Sequence, residues 1–585
     1  MGRVVQPGSG STNAEIEPEH ILLGPKIGDG SFGTVYKSKK VKGEEVTRNM
    51  PLVYQGKCFK MDVAVKVPRL QRLNALQLHG LRTEIAIMSA NPHPCIVLFM
   101  GACTQEGQFR IVTELLEGDL YDLIHKQKVK LSLFQKMKLA KDAALGMNWL
   151  HHSNPRIIHR DLKLANLLIY RQGDEYRVKL CDFGLSAIKE SSQEAIRDLG
   201  AVRGTPLYMA PEVMRKRDFN EKADVYSFGI VLWELLTEQK PFEHHRDWNK
   251  FLVAVGDEGE RPIIPEASCP PALFSLIEDC WRNDVSLRPD FEEINERLDG
   301  IIIDSAIEDE VARTFWKADA SLHEYALPWP VFARKLWRFL GLELPHDPDD
   351  PLPAQEPATQ PGQDKRTPPH KRTATPAGGG SEQGRVGASP VYNPPPSAEV
   401  AQLRCVKALF VTEESRGKRG REVVSIEWFS KMVEWFAPFE ASPRLLDRLL
   451  ALLTQPWFHG LLTNNDMARL LAGAAEGTFL VRFSSSSPGA YTISRVTPQG
   501  TSHIRILGQR QPPPDDLDGS ERRPAGVVRY SASDDRSYDS MGDVVADLAA
   551  PLRLLHPAPG SPYLPLFGDP ASLNASGGYE SLVQR

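Results

Sequence analysis

The chain has 585 residues, 41% of them hydrophobic and 25% charged, an ordinary globular composition that excludes wholesale disorder. At roughly 100–200 residues per domain it also excludes a single compact unit. Seventy Lys and Arg against seventy-five Asp and Glu leave a formal charge of -5, without the basic excess of a dedicated nucleic-acid binder, so no nucleic-acid partner is expected. The seven cysteines are scattered, with no CxxC pair, and read as buried thiols in a reducing compartment rather than a disulfide or zinc framework. The first ten residues lack an apolar run, and Ile85–Gln105, although free of charge, is interrupted by Asn91, His93 and two prolines. No signal, lipid anchor or integral membrane segment is expected.

Taken in chain order, residues 1–20 read as a disordered N-terminus. Gly28-Asp29-Gly30-Ser31-Phe32-Gly33-Thr34-Val35 then places three glycines in a turn that continues as a strand. Continuation as a strand rather than a helix disfavours a dinucleotide-binding turn and suits a hairpin lid whose amides close over phosphates. Val63-Ala64-Val65-Lys66 is the next strand, and alternation puts Lys66 on the face of Ala64, under that lid. On its own Lys66 would be an ordinary solvated residue; with the glycine turn upstream it becomes a cation for the α and β phosphates. Glu84, in the amphipathic helix Leu81–Met88, can orient it.

Ile158-His159-Arg160-Asp161-Leu162-Lys163-Leu164-Ala165-Asn166 follows, and after a short apolar strand Asp182-Phe183-Gly184. Phosphoryl transfer needs a carboxylate beside the attacking hydroxyl, metal ligands that bridge the phosphates, and positive charge on the transferring group. Asp161, Asn166 with Asp182, and Lys66 with Lys163 supply these.

With every signature block in order, residues 21–298 resemble eukaryotic protein kinases. The resemblance implies a two-lobed α+β fold with ATP and Mg2+ in the cleft, and Asp161, Lys163 and Lys66 as catalytic residues. It implies an ATP site from Ile27, the glycine turn through Val35, Ala64, Lys66 and Glu84, with Thr113 as gatekeeper and Glu114 to Leu116 as hinge; Asn166 and Asp182 would hold the metal. Glu212, in Ala210-Pro211-Glu212, would pair with Arg288, and Asp224 would brace the catalytic loop. Lys163 and Gly204-Thr205-Pro206-Leu207-Tyr208 resemble the Ser/Thr pattern, whereas Leu98–Ala102 and Asp224–Gly229 resemble the tyrosine-kinase-like group. Ser/Thr phosphorylation is expected first and dual specificity second. Ser191 and Ser192 are candidate activation-segment phosphosites that Arg160 could engage, a flexible polar loop being the competing reading.

Residues 299–344 read as a helical extension, and 345–399 as a linker: thirteen prolines fall among the 52 residues Pro345–Pro396, with Gly378-Gly379-Gly380, so this stretch cannot build a core. Its clusters Lys365-Arg366 and Lys371-Arg372 read as solvated charge, with a nuclear address as the alternative. Residues 400–456 read as a helical module. A faint repeat matches Leu327–Phe332 with Val424–Phe429, reminiscent of an EF-hand exit helix but without its acidic ligands, so calcium is not expected. The two halves are expected to build one small helical module with the linker as its excursion.

From Trp457, Phe479-Leu480-Val481-Arg482 ends an apolar strand on an arginine, costly unless it meets an anion. Ser484 to Ser487 follow with hydroxyl and backbone donors. This order, with the strands around Tyr491 and His503, resembles an SH2 domain over about 457–556, ahead of a flexible tail, 557–585. The resemblance implies phosphotyrosine binding by Arg482, Ser484, Ser485 and His503. Asn464 stands where many SH2 domains place a second arginine, and Arg505 is the candidate replacement.

A kinase placed before an SH2 domain looks like the amoebal SH2-domain-containing kinase family. The implied protein acts on protein substrates in the cytoplasm and is recruited to phosphotyrosine-containing proteins, including membrane-associated scaffolds. The alternative is a phosphotyrosine adaptor whose kinase lobe is a scaffold.

Overall fold

The computed structural model describes residues 15–29, 33–41, 62–68, 75–173, 175–189, 205–318, 325–348, 397–411, 422–484, 487, 489–510, 528–531 and 536–567. The chain divides into two compact units, Met1–Ser305 and Ala306–Arg585. No helix among the described residues is long and apolar enough to cross a membrane.

The first unit opens with β1 (Ile21–Asp29), β2 (Gly33–Val41), β3 (Val63–Pro68), α1 (Ala75–Ala90), β4 (Phe99–Cys103) and β5 (Arg110–Glu114). The strands form one antiparallel sheet in the order β1-β2-β3-β5-β4. Along β3, Val63 and Val65 are buried while Ala64 and Lys66 are half-buried, so the two-residue period of a strand sends the valines to the core and Lys66 to the other face.

A mostly helical lobe follows. It contains β6 (Gly118–Asp119), α2 (Leu133–His152), β7 (Arg156–Ile158), β8 (Leu167–Gln172), β9 (Glu175–Leu180), β10 (Ala187–Lys189), α3 (Pro211–Met214), α4 (Lys222–Thr237), α5 (Trp248–Gly256), α6 (Pro271–Cys280) and α7 (Phe291–Ala306). A capping box of Ser132 and Gln135 starts α2, satisfying amide donors that a helix start leaves open. From Ala223 to Leu235 every residue of α4 is buried, which makes it the central pillar of the lobe. A Cβ at Gly229 would stand 2.9 Å from the Cβ of Cys280, so only glycine lets α6 approach this closely. Helix α7 continues past the expected edge at Leu298, because Ile301, Ile302 and Ile303 are buried as well.

The second unit contains α8 (Glu310–Lys317), β11 (Ala326–Pro328), α9 (Trp329–Phe339), α10 (Ala398–Phe410), β12 (Val423–Ser425), α11 (Ile426–Trp435) and α12 (Arg444–Leu453). β11 pairs antiparallel with β12, Leu327 opposite Val424, and joins segments on the two sides of the proline-rich stretch. Arg404 donates to both oxygens of buried Asp347 at 2.6 and 2.5 Å, a second tie across it. Phe429 is wholly buried, with ring centroids of Trp316 at 5.0 Å, Phe315 at 5.4 Å and Phe332 at 5.8 Å. The core of this module is therefore aromatic and drawn from both flanks.

The same unit ends with β13 (Phe458–Gly460), α13 (Asn464–Leu471), β14 (Thr478–Phe483), β15 (Ala490–Thr497), β16 (Gly500–Arg510), β17 (Val528–Ser531), β18 (Ser537–Tyr538), α14 (Met541–Ala549) and β19 (His556–Pro557). The strands form one sheet in the order β13-β14-β15-β16-β17-β18, with β19 also against β14. Residues 557–567 depart from the expected flexible tail. Ser561 donates to the Phe458 carbonyl at 2.8 Å, and Tyr563 is buried and stacks on Phe458. The apolar surface of Tyr563 recovers more free energy in the core than a solvated tail retains as entropy.

Phe429→Ala is expected to destabilise the second unit by about 3–5 kcal/mol, read as a lowered melting transition in scanning calorimetry. An unmoved transition would remove Phe429 from the core.

Candidate functional site

Lys66 leaves β3 beside α1 and reaches two acids. Its Nζ lies 2.7 Å from Glu84 Oε1 and 2.7 Å from Asp182 Oδ1. Burial alone would lower the Lys66 pKa, but the charges of Glu84 and Asp182 outweigh it and hold the amine protonated above its ordinary range. Burial likewise pushes Asp182 up, and the Lys66 charge overrides it, so this carboxyl titrates below its usual range. Asp182 has a positive φ of 62° and Phe183 beside it is buried with its ring edge-on to His159. A non-glycine residue in that region is strained, and the ion pair with Lys66 and the Phe183 packing hold it there.

Asp161 is buried within a closed network. Its Oδ1 accepts from the Thr205 amide and hydroxyl, both at 2.9 Å, and its Oδ2 accepts from Lys163 Nζ at 2.7 Å and Asn166 Nδ2 at 3.0 Å. Lys163 Nζ also donates to Thr205 Oγ1 at 2.6 Å. The backbone carrying Asp161 is braced by Asp224 on α4, whose two oxygens accept from the amides of His159 and Arg160 at 2.8 Å each. The Asp224 carboxyl lies below its usual range, because hydrogen bonds and charge from His151 and His159 overcome the effect of burial. Glu212 receives Arg288 at 2.7 and 3.0 Å.

The structure thus brings Lys66, Glu84 and Asp182 together, and separately joins Asp161, Lys163 and Asn166. Oxygen donors at Asp182 and Asn166 suit a hard divalent cation: the Asn166 amine is taken up by Asp161, which leaves its carbonyl oxygen as the available ligand atom. Thr113 is half-buried opposite Ala64 across the β3–β5 pairing, and Leu116 is half-buried beyond the end of β5. Glu114 turns its carboxylate onto Lys179 Nζ at 2.6 Å and the Leu98 amide at 2.7 Å. It therefore offers a ligand only its backbone. Ile27 is half-exposed, an apolar surface beside the glycine turn. Gly28, Asp29, Gly33, Thr34 and Val35 belong to β1 and β2; Gly30, Ser31, Phe32, Ser191 and Ser192 lie outside the described residues.

In the second unit the strand register assembles a polar row. Arg482 on β14 faces Thr492 on β15, which faces Arg505 on β16; two residues along, Leu480, Ser494 and His503 repeat the row. Directly opposed residues share a face, so Arg482, Arg505 and His503 stand on one side of the sheet. Arg482 is buried, its Nη2 donates to Asn464 Oδ1 at 3.0 Å and its Nε has no partner. Burial lowers its pKa, the mark of a desolvated cation without an anion. His503 Nδ1 lies 3.0 Å from Ser494 Oγ. Burial, and then the Arg482 charge, hold its imidazole below the ordinary range. Ser484 is buried, and its amide donates to the Ala490 carbonyl at 2.9 Å; Ser485 lies outside the described residues.

Trp435, at the end of α11, carries no motif that singles it out in the sequence. Its ring stacks on Phe483 at 4.3 Å, its Nε1 donates to the Ala490 carbonyl at 2.9 Å, and Tyr491 Oη donates to its carbonyl at 3.0 Å. The helical module therefore holds both strands at the point where they enter and leave the serine-rich loop after Arg482.

Residues 21–298 match the model of the protein tyrosine and serine/threonine kinases, and residues 457–540 that of SH2 domains. Over 501 residues the chain is 40% identical to a dual specificity protein kinase of Dictyostelium discoideum, shkC, covering 85% of each chain. It is 38% identical over 555 residues to shkA of the same organism, covering 94% of this chain and 91% of that one. Over 280 residues it is 42% identical to the serine/threonine-protein kinase CTR1 of Arabidopsis thaliana, covering 47% of this chain and 31% of that one.

Arg482→Ala is expected to weaken binding of a phosphotyrosine peptide by about 2–4 kcal/mol, since it removes the buried cation. Arg505→Ala, at an exposed position in the same row, should weaken it severalfold. Calorimetry checks both, and an unchanged affinity for Arg505→Ala would remove that residue from the site.

Proposed function

The chain belongs to the SH2-domain-containing protein kinases, and from that membership we propose that it transfers phosphate from Mg2+-ATP to Ser and Thr and, as a second capacity, to Tyr. Its phosphotyrosine-binding domain raises its concentration at marked proteins, and its place of action is the cytoplasm. The six described cysteines are all free thiols, in keeping with a reducing compartment. The observation that carries the Ser/Thr assignment is Lys163, whose ammonium bridges Asp161 and Thr205 at 2.7 and 2.6 Å. A cation there meets the γ-phosphate while Thr205 fixes the base. The tyrosine capacity rests on the relatives' designation as dual specificity kinases.

In this reading Lys66 binds the α and β phosphates, and Glu84 positions Lys66. Asn166 and Asp182 would hold the divalent ion, which when bound neutralises charge between the β and γ phosphates. Asp161 orients the substrate hydroxyl and takes its proton. Its four donors hold the carboxylate in one orientation before substrate arrives, so little reorganisation is left for the transition state. Thr113 and the backbone from Glu114 to Leu116 line the adenine side, with Ile27 and Ala64 above it. Arg482, Ser484, Ser485, His503 and Arg505 hold the phosphotyrosine phosphate, and Ser191 and Ser192 are the candidate activating phosphosites.

Incubation of the full chain with labelled Mg2+-ATP and a generic protein substrate, with Asp182→Asn as control, is expected to yield phosphoserine and phosphothreonine with a smaller share of phosphotyrosine. No label above the control would return the adaptor reading. Thr205→Val, which removes the hydroxyl linking Lys163 and Asp161, should lower kcat about tenfold to a hundredfold and leave the KM for ATP nearly unchanged; an unaltered kcat would exclude the positioning role.

A further inference from the structure

In the helical lobe of the first unit, His244, His245 and Glu260 form a cluster that phosphoryl transfer does not use. His244 Nε2 lies 2.9 Å from Glu260 Oε1, and His245 Nε2 lies 3.0 Å from Oε2 and 3.1 Å from Oε1. The two imidazoles are adjacent in sequence, with centroids 4.2 Å apart, and both turn the same ring nitrogen to one carboxylate. All three ligand atoms fall within 4.8 Å of one another. Two donors bound at 2.0–2.1 Å to a tetrahedral ion stand about 3.3 Å apart, so small rotations of the side chains bring the set to that spacing.

The cluster is held in place by its surroundings. The His245 amide donates to the Phe242 carbonyl at 3.0 Å, and its ring packs edge-on against Phe251 of α5 at 5.6 Å. Phe242 has a positive φ of 52° and packs edge-on against the same Phe251, a strained turn that brings the two histidines round. The Glu260 amide donates to Ala254 of α5 at 2.8 Å. His245 and Glu260 are thus both referenced to one helix. Arg261, next to Glu260, directs its guanidinium to the carbonyls of Trp281, Val255 and Glu260 and to Asn283 Oδ1. His244 and Glu260 line an open cavity of about 890 Å³ together with Trp233, Lys240, Phe242, Arg261 and Ile263, so the cluster is reached from that side.

We propose that His244, His245 and Glu260 form a binding site for a divalent transition-metal ion, Zn2+ by its donor set of two imidazoles and one carboxylate. That set with an open fourth position is a zinc arrangement, and the imidazoles select against Mg2+ and Ca2+, which take oxygen ligands. Binding exchanges the protons that the two Nε2 atoms direct at Glu260 for the ion: each imidazole coordinates through its Nε2 lone pair as the neutral Nδ1–H tautomer, any further proton passes to solvent, and no other bond is made or broken. The ion ties the turn after α4 to the irregular segment at Glu260. The next residue, Arg261, stacks on Tyr226 at 5.0 Å, and Arg288 stacks on the same ring at 5.3 Å while holding Glu212. An ion here stabilises the corner of the lobe that anchors the end of the activation segment.

The test is a titration of metal-free full-length protein with Zn2+ in the presence of excess Mg2+, followed by competition with a chromophoric chelator and by thermal melting. One zinc equivalent that survives the Mg2+ excess and raises the melting temperature is expected. His244 is mostly exposed, so His244→Ala leaves folding intact; it and Glu260→Gln should each weaken that equivalent by at least about tenfold and abolish the thermal shift. Absence of zinc binding at micromolar concentration overturns the site, and so does a zinc equivalent retained at full affinity in both variants.

Discussion

Lys66 is the pivot of the first unit, a half-buried ammonium shared by Glu84 of α1 and Asp182 of the segment between β9 and β10. An isolated cation at such a depth would lose its proton or its place. Two carboxylates at 2.7 Å keep it charged, and in return they are drawn to the same point from two different lobes. Removing Lys66 would leave Glu84 and Asp182 together without the cation between them, whereas removing either carboxylate leaves the ammonium paired with the other. The interaction therefore sets the position of α1 and of strained Asp182 together. Everything the nucleotide would meet is referenced to it.

The other buried charges fall into two kinds. Asp161 and Asp224 are saturated by donors from inside the protein, which makes them rigid and preorganised. Arg482 has a neutral amide oxygen for one nitrogen and no partner for another. A cation so placed is stabilised only when an anion arrives. The contrast separates a site that acts on a ligand by being finished beforehand from a site that is completed by its ligand.

Within the second unit, the helical module has an aromatic core assembled from segments on either side of the proline-rich stretch. Its helix α11 ends in Trp435, packed on Phe483 one residue beyond Arg482. The surface that steadies the ends of β14 and β15 thus comes from outside the sheet that carries the arginine. Because packed interfaces switch between discrete arrangements rather than deform smoothly, a disturbance of the module is felt at those strand ends.

Much of this was legible in the chain itself. The glycine turn, Lys66, Glu84, Asp161, Asn166 and Asp182 are spaced by short local elements, and the chemistry of phosphoryl transfer dictates their types. An arginine closing an apolar strand is equally informative, because burial makes its cost visible in one dimension. Composition alone marks the proline-rich stretch as a linker, since a segment without bulky apolar residues cannot repay its ordering entropy, and residues 349–396 lie outside the described residues. Other features depend on partners far apart in sequence. The pairing of Leu327 with Val424, the contact of Trp435 with Phe483, the burial of Tyr563 and the convergence of two histidines on Glu260 follow from which helix packs where. No local period records them. The sequence alone determined the identities and order of the reactive groups, because local spacing and side-chain chemistry are written residue by residue. Only the tertiary structure decided which of them share a hydrogen bond, because burial and close packing over long separations choose among partners that the sequence leaves equivalent.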